Sequence, residues 1–437
     1  MAETKAQIAR GAQYLLPVYI RPDFVLSHGK GSYVWDTEGN KYLDFSAGIA
    51  VNALGHADEG VLKTMTEQAG KLLHTSNAYH NEWAVQLAEL LVTLTQREGG
   101  LGYKAHGAGQ ALKPAKVFFS NSGTEANEGA LKIARKVGKD RWTAATGVSW
   151  ESDPSKCTKT RITCFQGSFH GRSMGALSVT SNPKYQNPFG PLLPGVDVGK
   201  LNDFEGLSSI VGGDTCAVII EPIQGEGGIN AADIEWLRAL RKRCDEVGAV
   251  LIYDEIQCGL YRTGTLWAHS AYPTDCHPDI VTMAKPLANG YPVGAVLMRE
   301  NVAATMAAGT HGTTFGGSPL ACAIGHYVLS RLSEPTRVSD MLETSAYLTA
   351  RLKLLPKWFP DILQERIRGQ GLILGLGFKD ASQPGKLVNM ARERGLFVLT
   401  AGMDAVRMVP SLTIKREEVD TAVDIVESCL GRMDREM

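Results

Sequence analysis

The middle of the chain alternates short apolar runs with stretches of helical period, and this alternation constrains the fold more than any other feature. Apolar runs at 117–119, 216–220, 250–253 and 280–283 predict strands. A helix is predicted from about 124 to 137, where small and aliphatic residues recur on one face. Because strands that alternate with helices form mostly parallel sheets covered by helices, the sequence predicts an α/β fold.

A second helix is predicted between the runs at 216–220 and 250–253. Its apolar residues recur at helical spacing and are expected to face the core, while its basic residues are expected to face solvent. Segments 99–109 and 143–159 have no periodic apolar face, so both are predicted to be surface loops. The inward set of the helix is Leu237, Leu240, Cys244 and Val247, and the outward set is Arg238, Arg241 and Lys242.

The charge balance favours small-molecule chemistry. The chain of 437 residues has 45 basic and 46 acidic residues, which gives a formal net charge of −1. This balance provides no electrostatic attraction to nucleic acid or to an anionic membrane surface, so neither partner is expected. The sequence also contains no run of about 18 apolar residues of the kind that spans a bilayer.

The eight cysteines are scattered singly along the chain. They form no CxxC pair and no cluster with the ten histidines that resembles a metal site, so no metal is expected. Unpaired cysteines are typical of a reducing compartment. Residues 1–10 are not rich in arginine, as a mitochondrial presequence would be, and we expect that any targeting peptide has been removed.

Chemically active side chains follow two of the predicted strands. Asp254 and Glu255 end the run at 250–253, and Lys285 follows the run at 280–283. In an open parallel sheet, ligands bind at the carboxyl ends of the strands. Asp254 and Lys285 are 31 residues apart, about one helix and one strand, so the two could converge on one crevice. The alternatives are a turn cap for the carboxylates and a solvated surface charge for the lysine.

The segment 120–127 predicts an anion site. A strand, a turn and a helix start follow each other there, with Ser122, Gly123 and Thr124 at the turn. The free N–H groups and the dipole of a helix start attract a phosphate, and a glycine permits its close approach. Serine and threonine at a helix start are also ordinary caps, so this segment alone is weak support.

Together these motifs resemble the class III subgroup of the fold-type I aminotransferases, over most of the chain from Tyr33 to Arg407. The motifs that carry the resemblance are Ser-Gly-Thr-Glu-Ala-Asn at 122–127, Phe-His-Gly-Arg at 169–172, Glu-Pro-Ile-Gln-Gly-Glu-Gly at 221–227, Asp-Glu-Ile-Gln at 254–257, Ala-Lys-Pro-Leu at 284–287 and His-Gly-Thr-Thr-Phe-Gly-Gly at 311–317.

The resemblance implies a large domain with a mostly parallel sheet of seven strands, and a smaller α+β domain. The large, cofactor-binding domain is expected over 61–318 and the small domain over 319–437, with an N-terminal segment over 1–60 that joins the small domain. An alternating stretch at 372–378 and a short strand near Val406 agree with strands in the small domain.

The resemblance also implies the cofactor pyridoxal 5′-phosphate. Lys285 would hold the cofactor aldehyde as a Schiff base and then shuttle a proton, and Asp254 would pair with the pyridine nitrogen. The other expected cofactor contacts are Gln257 at the ring hydroxyl, Phe169 on the ring face, Ser122, Gly123 and Thr124 at the phosphate, and Thr314 at the phosphate of a second subunit. The active site would then be shared across a homodimer.

Substrate choice is expected to depend on four residues. By resemblance, Arg407 binds the α-carboxylate of glutamate, and Glu226 neutralises that arginine when the other substrate offers no carboxylate there. Arg172 and Thr313 resemble residues that grip the far end of an acylated ornithine. The segments 48–56 and 257–264 look most like the acetylornithine aminotransferases, although Tyr261 stands where bacterial relatives commonly have a small residue.

The resulting prediction is transfer of the terminal amino group of N2-acetyl-L-ornithine to 2-oxoglutarate, in arginine biosynthesis. Ornithine, succinylornithine and 4-aminobutyrate remain alternative amino donors. An aminomutase or racemase is an alternative of another class, as is a cofactor-binding remnant with a structural role. The two predicted loops resemble the fungal form, which implies the mitochondrial matrix, whereas a bacterial source would imply the cytoplasm.

Overall fold

The computed structural model describes residues 2–105 and 113–436. The helices of this part are α1 (Ala2–Tyr14), α2 (Ala47–Ala50, a turn with left-handed φ angles), α3 (Glu59–Ala69), α4 (Glu82–Glu98), α5 (Gly123–Thr146), α6 (Met174–Ser178), α7 (Pro183–Gln186), α8 (Leu207–Ile210), α9 (Ile234–Val247), α10 (Glu300–Ala303), α11 (Pro319–Leu332), α12 (Pro335–Leu352), α13 (Leu355–Trp358), α14 (Gln383–Glu393) and α15 (Arg416–Arg435).

The strands of the described residues are β1 (Leu26–Lys30), β2 (Tyr33–Asp36), β3 (Lys41–Asp44), β4 (Ala115–Ser120), β5 (Arg161–Phe165), β6 (Val196–Gly199), β7 (Thr215–Ile220), β8 (Val250–Asp254), β9 (Ile280–Met283), β10 (Gly294–Arg299), β11 (Leu363–Gln370), β12 (Ile373–Phe378), β13 (Leu396–Phe397), β14 (Leu399–Ala401) and β15 (Ala405–Met408). The four strands predicted from apolar runs correspond to β4, β7, β8 and β9, so those predictions are confirmed.

A seven-stranded sheet forms the centre of the fold, in the order β4-β10-β9-β8-β7-β5-β6. Strands β9, β8, β7, β5 and β6 pair in parallel, while β10 is antiparallel to both β4 and β9. Every residue of β7, β8 and β9 is buried, as expected for parallel strands that are covered on both faces. The predicted mostly parallel α/β sheet is therefore confirmed.

Two smaller sheets flank the central one. One has the order β1-β2-β3-β13, with β13 parallel to β3, and the other has the order β11-β12-β15-β14 with antiparallel pairing throughout. The strands expected at 372–378 and near Val406 are β12 and β15. The domain limits at 60 and 318 remain a prediction.

Helices α5 and α9 cover the central sheet and bury the predicted apolar faces. Residues Leu237, Leu240 and Cys244 of α9 are buried, whereas Val247 is only half-buried. The prediction that Arg241 faces solvent is wrong. Its Nη1 donates to Asp279 Oδ2 at 2.8 Å, and both side chains are buried, because the carboxylate neutralises the guanidinium inside the protein.

The two predicted surface loops are more ordered than expected. Helix α5 extends to Thr146, so the segment 143–159 begins as helix, and Pro154–Lys156 adds a 3-10 turn. Buried Lys159 ends the segment and donates to the carbonyl oxygens of Gly213 and Val247 at 3.0 and 2.6 Å. In the other segment, Gly100 and Tyr103 close a turn by two backbone hydrogen bonds, and 106–109 lie outside the described residues.

No helix within 2–105 or 113–436 is both long and apolar enough to cross a membrane. The same ranges contain no group of three or more His, Cys, Asp or Glu side chains that could hold a metal ion.

Candidate active site

The sheet places Asp254 and Lys285 at one edge. Strands β8 and β9 are parallel neighbours, with Asp254 paired in register with Thr282, so both strands end on the same side. Lys285 begins a 3-10 turn, Lys285–Ala288, directly beyond β9. The two side chains line one cavity of about 240 Å³, together with Gly123, Thr124, Phe169, His170, Gly171, Arg172, Glu221, Ile256 and Gln257.

A buried hydrogen-bond network fixes the Asp254 carboxylate. Asn127 of α5 and His170 Nδ1 each lie 2.8 Å from Asp254 Oδ2, and the Ile256 N–H donates to Oδ1 at 3.0 Å. The Asn127 amide oxygen accepts from the Thr282 hydroxyl at 2.7 Å, which ties the network to β9. His170 Nε2 is buried and has no partner in the described part of the chain. Asp254 is thus held rigidly as an acceptor at the cavity wall.

The Lys285 amine is available for chemistry. It makes no hydrogen bond or ion pair with any residue in 2–105 or 113–436, and Lys285 lines the cavity. Burial lowers the pKa of the Lys285 amine, while the Asp254 carboxylate opposes that shift. A lysine with a lowered pKa has a larger share of the neutral, nucleophilic form.

The start of α5 forms an anion cradle. Ser122 is its cap, with Oγ accepting from the Glu125 N–H at 3.3 Å, so the first helical N–H groups, of Gly123 and Thr124, have no helical acceptor. A Cβ at Gly123 would lie 2.9 Å from Ile256 Cδ1, so a side chain there would crowd the cavity. The Thr124 hydroxyl lies 2.6 Å from that of Ser173. This geometry fits a phosphate at Gly123 and Thr124.

Phe169 and Glu221 form another wall of the cavity. Phe169 is half-buried, and its N–H donates to Glu221 Oε1 at 2.8 Å, while the Gly225 N–H donates to Oε2 at 2.9 Å. Burial raises the pKa of the Glu221 carboxyl above its ordinary value. Glu221 therefore orients the backbone that carries the Phe169 ring.

A buried arginine adjoins the cavity at Gln257. Arg407 Nη1 donates to Gln257 Oε1 at 2.9 Å, and Nη2 donates to Glu226 Oε2 at 3.0 Å. The Arg407 side chain is 3% exposed, and its Nε is buried without a partner in the described residues. The Glu226 side chain is 35% exposed, so it can move away from Arg407 into solvent. Arg407 is held inside the protein and would remain there as a buried charge.

Arg172 is a second cation at the cavity, and it has a different environment. It forms no hydrogen bond or ion pair within the described ranges, and its guanidinium carbon lies 3.7 Å from the ring centroid of Tyr185. The Tyr185 hydroxyl donates to Glu226 Oε1 at 3.1 Å. The site thus offers one arginine already paired with a carboxylate and one arginine without a carboxylate.

Comparison with known proteins decides the family. The family model of class III aminotransferases matches residues 18–430. The chain belongs to the class III aminotransferases. It is 49% identical over 414 residues to the mitochondrial acetylornithine aminotransferase of Neurospora crassa, a match that covers 95% of this chain and 84% of the relative.

Solved structures of other aminotransferases have the same fold as this class III aminotransferase. The N-acetylornithine aminotransferase of Stenotrophomonas maltophilia is 33% identical, with a TM-score of 0.77 over 98% of this chain and all of that chain. An ornithine aminotransferase of Toxoplasma gondii, in which PLP partly occupies the active site, is 30% identical, with a TM-score of 0.84 over 98% of this chain and 95% of that chain.

Five predicted site residues of the aminotransferase do not line its cavity: Ser122, Glu226, Thr313, Thr314 and Arg407. Thr314 is exposed, and the Thr313 hydroxyl accepts from the Asn121 side-chain amide at 3.1 Å while the Thr313 carbonyl accepts from Asn77. A contact of Thr314 with a phosphate in a second subunit stays a prediction, as does a role of Thr313 at the substrate. Arg407 is connected to the cavity by its hydrogen bond to Gln257, and Glu226 is connected to it through Arg407.

Several residues of the site escaped the sequence reasoning. Asn127, His170, Glu221 and Tyr185 received no role, although the first three lie within the motifs at 122–127, 169–172 and 221–227. Their position within these motifs is the sequence feature that could have identified them as site residues. For Tyr185 no local signal exists, because its contacts with Glu226 and Arg172 are made only when the chain folds.

Proposed function

We propose that this aminotransferase moves the terminal amino group of N2-acetyl-L-ornithine to 2-oxoglutarate, giving N-acetyl-L-glutamate 5-semialdehyde and L-glutamate. One observation carries the proposal: Arg407 is paired with the partly exposed Glu226, while Arg172 has no carboxylate partner. Acetylornithine entering by its terminal amine has one carboxylate, at its far end, which suits Arg172. The Neurospora relative has the corresponding activity in its name.

The same geometry serves the second substrate. Glutamate and 2-oxoglutarate have carboxylates at both ends, so one of them must bind Arg407 beside the reacting carbon. Glu226 vacates Arg407 for this substrate and returns when an acylated ornithine leaves the arginine without a partner, since an unpaired buried charge is costly. An isomerase with a single amino substrate has no need of such a carboxylate switch.

The residues of the cavity fit pyridoxal 5′-phosphate. The N–H groups of Gly123 and Thr124 would hold its phosphate, Asp254 its ring nitrogen and Lys285 its aldehyde. Phe169 would cover the ring face. Gln257 would reach the ring hydroxyl with its amide N–H, because its oxygen accepts from Arg407. When bound, this cofactor supplies an electron sink for the electrons left behind by proton loss.

The protein groups then handle protons and orientation. The Lys285 amine would take the proton from the substrate carbon that bears the nitrogen, and its lowered pKa favours the neutral form that acts as a base. His170 and Asn127 hold Asp254 in one orientation. Asp254, oriented by His170, would keep a proton on the ring nitrogen.

A homodimer completes the site in this proposal. Thr314 and Phe315 are exposed and lie outside the cavity of their own chain, and large apolar side chains at Leu16, Tyr19 and Ile20 are exposed as well. A second copy that covers these side chains brings Thr314 to the partner's phosphate site. By likeness to the Neurospora relative, the compartment is the mitochondrion.

The test is a screen of half-reactions. The protein loaded with pyridoxal 5′-phosphate is mixed with acetylornithine, ornithine, succinylornithine or 4-aminobutyrate, and the visible absorption of the bound cofactor is followed. We expect acetylornithine to have the highest kcat/KM. A preference of about tenfold or more for ornithine or 4-aminobutyrate would overturn the proposal, as would isomerisation of a donor without 2-oxoglutarate. The control, Lys285→Ala, should remain folded and lose nearly all turnover.

A further inference from the structure

Tyr185 contacts both charged groups that recognise substrate. It lies in the short helix α7, whose sequence has no motif that suggests a role. Its hydroxyl donates to Glu226 Oε1 at 3.1 Å, while Arg407 donates to the other oxygen of the same carboxylate. The Tyr185 ring makes a second contact, with Arg172, whose guanidinium carbon lies 3.7 Å from the ring centroid.

We propose that Tyr185 is a positioning residue that links the two substrate-recognising charges, through its hydroxyl to Glu226 and through its ring face to Arg172. The inference rests on the proposed function and adds a residue that sets the preference between an acylated diamino acid and a dicarboxylate.

The hydroxyl favours one position of the Glu226 side chain. With both carboxylate oxygens occupied, by Tyr185 and by Arg407, Glu226 is held where it neutralises the arginine. Burial raises the pKa of Tyr185 and the Glu226 charge adds to that rise, so the hydroxyl remains a donor at neutral pH. A dicarboxylate must therefore displace Glu226 from two hydrogen bonds, whereas an acylated ornithine leaves both in place.

The ring orients Arg172. Because this arginine has no hydrogen-bond or ion-pair partner in the described residues, aromatic contacts restrict its side chain: the Tyr185 face at 3.7 Å and the Phe169 ring at 5.6 Å. The two rings themselves meet edge to face, with centroids 5.8 Å apart. A guanidinium held over an aromatic face keeps its N–H edge free for a carboxylate.

Two variants separate the two contacts. Tyr185→Phe removes the hydroxyl and keeps a ring for Arg172, whereas Tyr185→Leu removes both. The probes are glutarate, a dicarboxylate without a reacting group, and N-acetyl-L-norvaline, an acylated amino acid without the terminal amine. Their dissociation constants from the loaded enzyme are measured by calorimetry, and KM and kcat are measured for acetylornithine and 2-oxoglutarate.

For Tyr185→Phe we expect glutarate to bind about fivefold more tightly, because one hydrogen bond that retains Glu226 is lost, with N-acetylnorvaline changed less than about twofold. For Tyr185→Leu we expect a loss of about fivefold for N-acetylnorvaline and a smaller gain for glutarate than in Tyr185→Phe, because the far carboxylate of glutarate also faces Arg172. These changes should appear in KM with little change in kcat. In a Glu226→Gln background, Tyr185→Phe should lose most of its effect on glutarate.

Tyr347 provides a matched control. Its hydroxyl donates to Asp420 Oδ1 at 2.5 Å, and its ring centroid lies 4.2 Å from the guanidinium carbon of Arg416. Tyr347 of α12 thus contacts a carboxylate and an arginine of α15, as Tyr185 contacts Glu226 and Arg172, but it does so outside the cavity. Tyr347→Phe and Tyr347→Leu should leave both dissociation constants unchanged.

Unchanged probe affinities in both Tyr185 variants would overturn the inference, as would a glutarate effect that persists in full without the Glu226 charge. If the wild-type protein binds no N-acetylnorvaline and does not use acetylornithine, the proposed function fails instead. The glutarate measurements would still decide the link between Tyr185 and Glu226.

Discussion

Replacing Glu226 by glutamine isolates the charge that the structure places on Arg407. The substitution keeps the size of the side chain and an oxygen that can accept from Arg407 Nη2, but it removes the negative charge. The Arg407 side chain is 3% exposed, so its charge depends on Glu226 for neutralisation. We expect the two substrates of Glu226→Gln to respond in opposite directions.

The magnitude follows from the exposure of the pair. A hydrogen bond to a charged group contributes about 1.5–3 kcal/mol, and because 35% of the Glu226 side chain is exposed, solvent screening favours the lower end. About 1.5 kcal/mol is about tenfold in a dissociation constant. Glutarate, which must displace Glu226 in the wild-type protein, should bind about tenfold more tightly to the variant. N-acetylnorvaline, which leaves Arg407 without a carboxylate, should bind about tenfold more weakly.

The assay combines calorimetry with the two probes and single half-reactions with glutamate and acetylornithine. Glu334→Gln is a suitable control, because it removes a glutamate of similar side-chain exposure, 41%, from an ion pair with Arg331 outside the cavity. The control should leave both affinities unchanged. If Glu226→Gln shifts both probes in the same direction, or shifts neither, the reasoning that Glu226 switches Arg407 between substrates is refuted.

Two further predictions concern stability and cofactor binding. Burial lowers the pKa of His277 to about 4, so the unfolded chain binds more protons than the folded one below the unfolded pKa of 6.5. The free energy of unfolding should therefore fall as pH drops below 6.5, by about 2 kcal/mol at pH 5. His277→Gln should flatten this fall, as measured by denaturant unfolding at several pH values. A pH profile unchanged in His277→Gln would contradict the neutral state of buried His277. In Gly123→Ala, the added Cβ would lie 2.9 Å from Ile256 Cδ1, so the cofactor should dissociate about tenfold more readily in dialysis followed by absorption. Gly385→Ala, where no heavy atom lies within 4 Å of the added Cβ, is the control, and equal cofactor retention in the two variants would argue against the cradle.

Local patterns in the sequence determined the central sheet and the position of its chemistry. The strands β7, β8 and β9 are apolar throughout because both faces are covered, so they appear as short apolar runs. Asp254 and Lys285 were predicted to converge because each follows a strand and ligands bind at the carboxyl ends of parallel strands. Because Asp254 pairs in register with Thr282, the ends of β8 and β9 lie side by side, and Asp254 and Lys285 therefore meet at one cavity.

The strand pattern by itself did not separate the neighbouring carboxylates Asp254 and Glu255, and only the family resemblance singled out Asp254. Successive residues at a strand end point to opposite sides, and only Asp254 faces the cavity. Glu255 is fully buried on the other side, where its carboxylate accepts from the Ala268 N–H at 2.6 Å and lies 2.5 Å from His269 Nδ1. Its role is structural.

Contacts between residues distant in the chain were decided by the tertiary structure alone. Arg241 has the outward spacing of a solvated residue, yet Asp279, 38 positions later, draws it into the protein. Tyr185 meets Glu226 and Arg172 from a helix of four residues, too short to display any periodicity. Strand ends and helix starts are local properties that backbone hydrogen bonding and burial impose on neighbouring residues. The partner of a buried charge depends on which elements pack together, and this is why the sequence pointed to the cofactor site while the fold decided how the substrate charges are held.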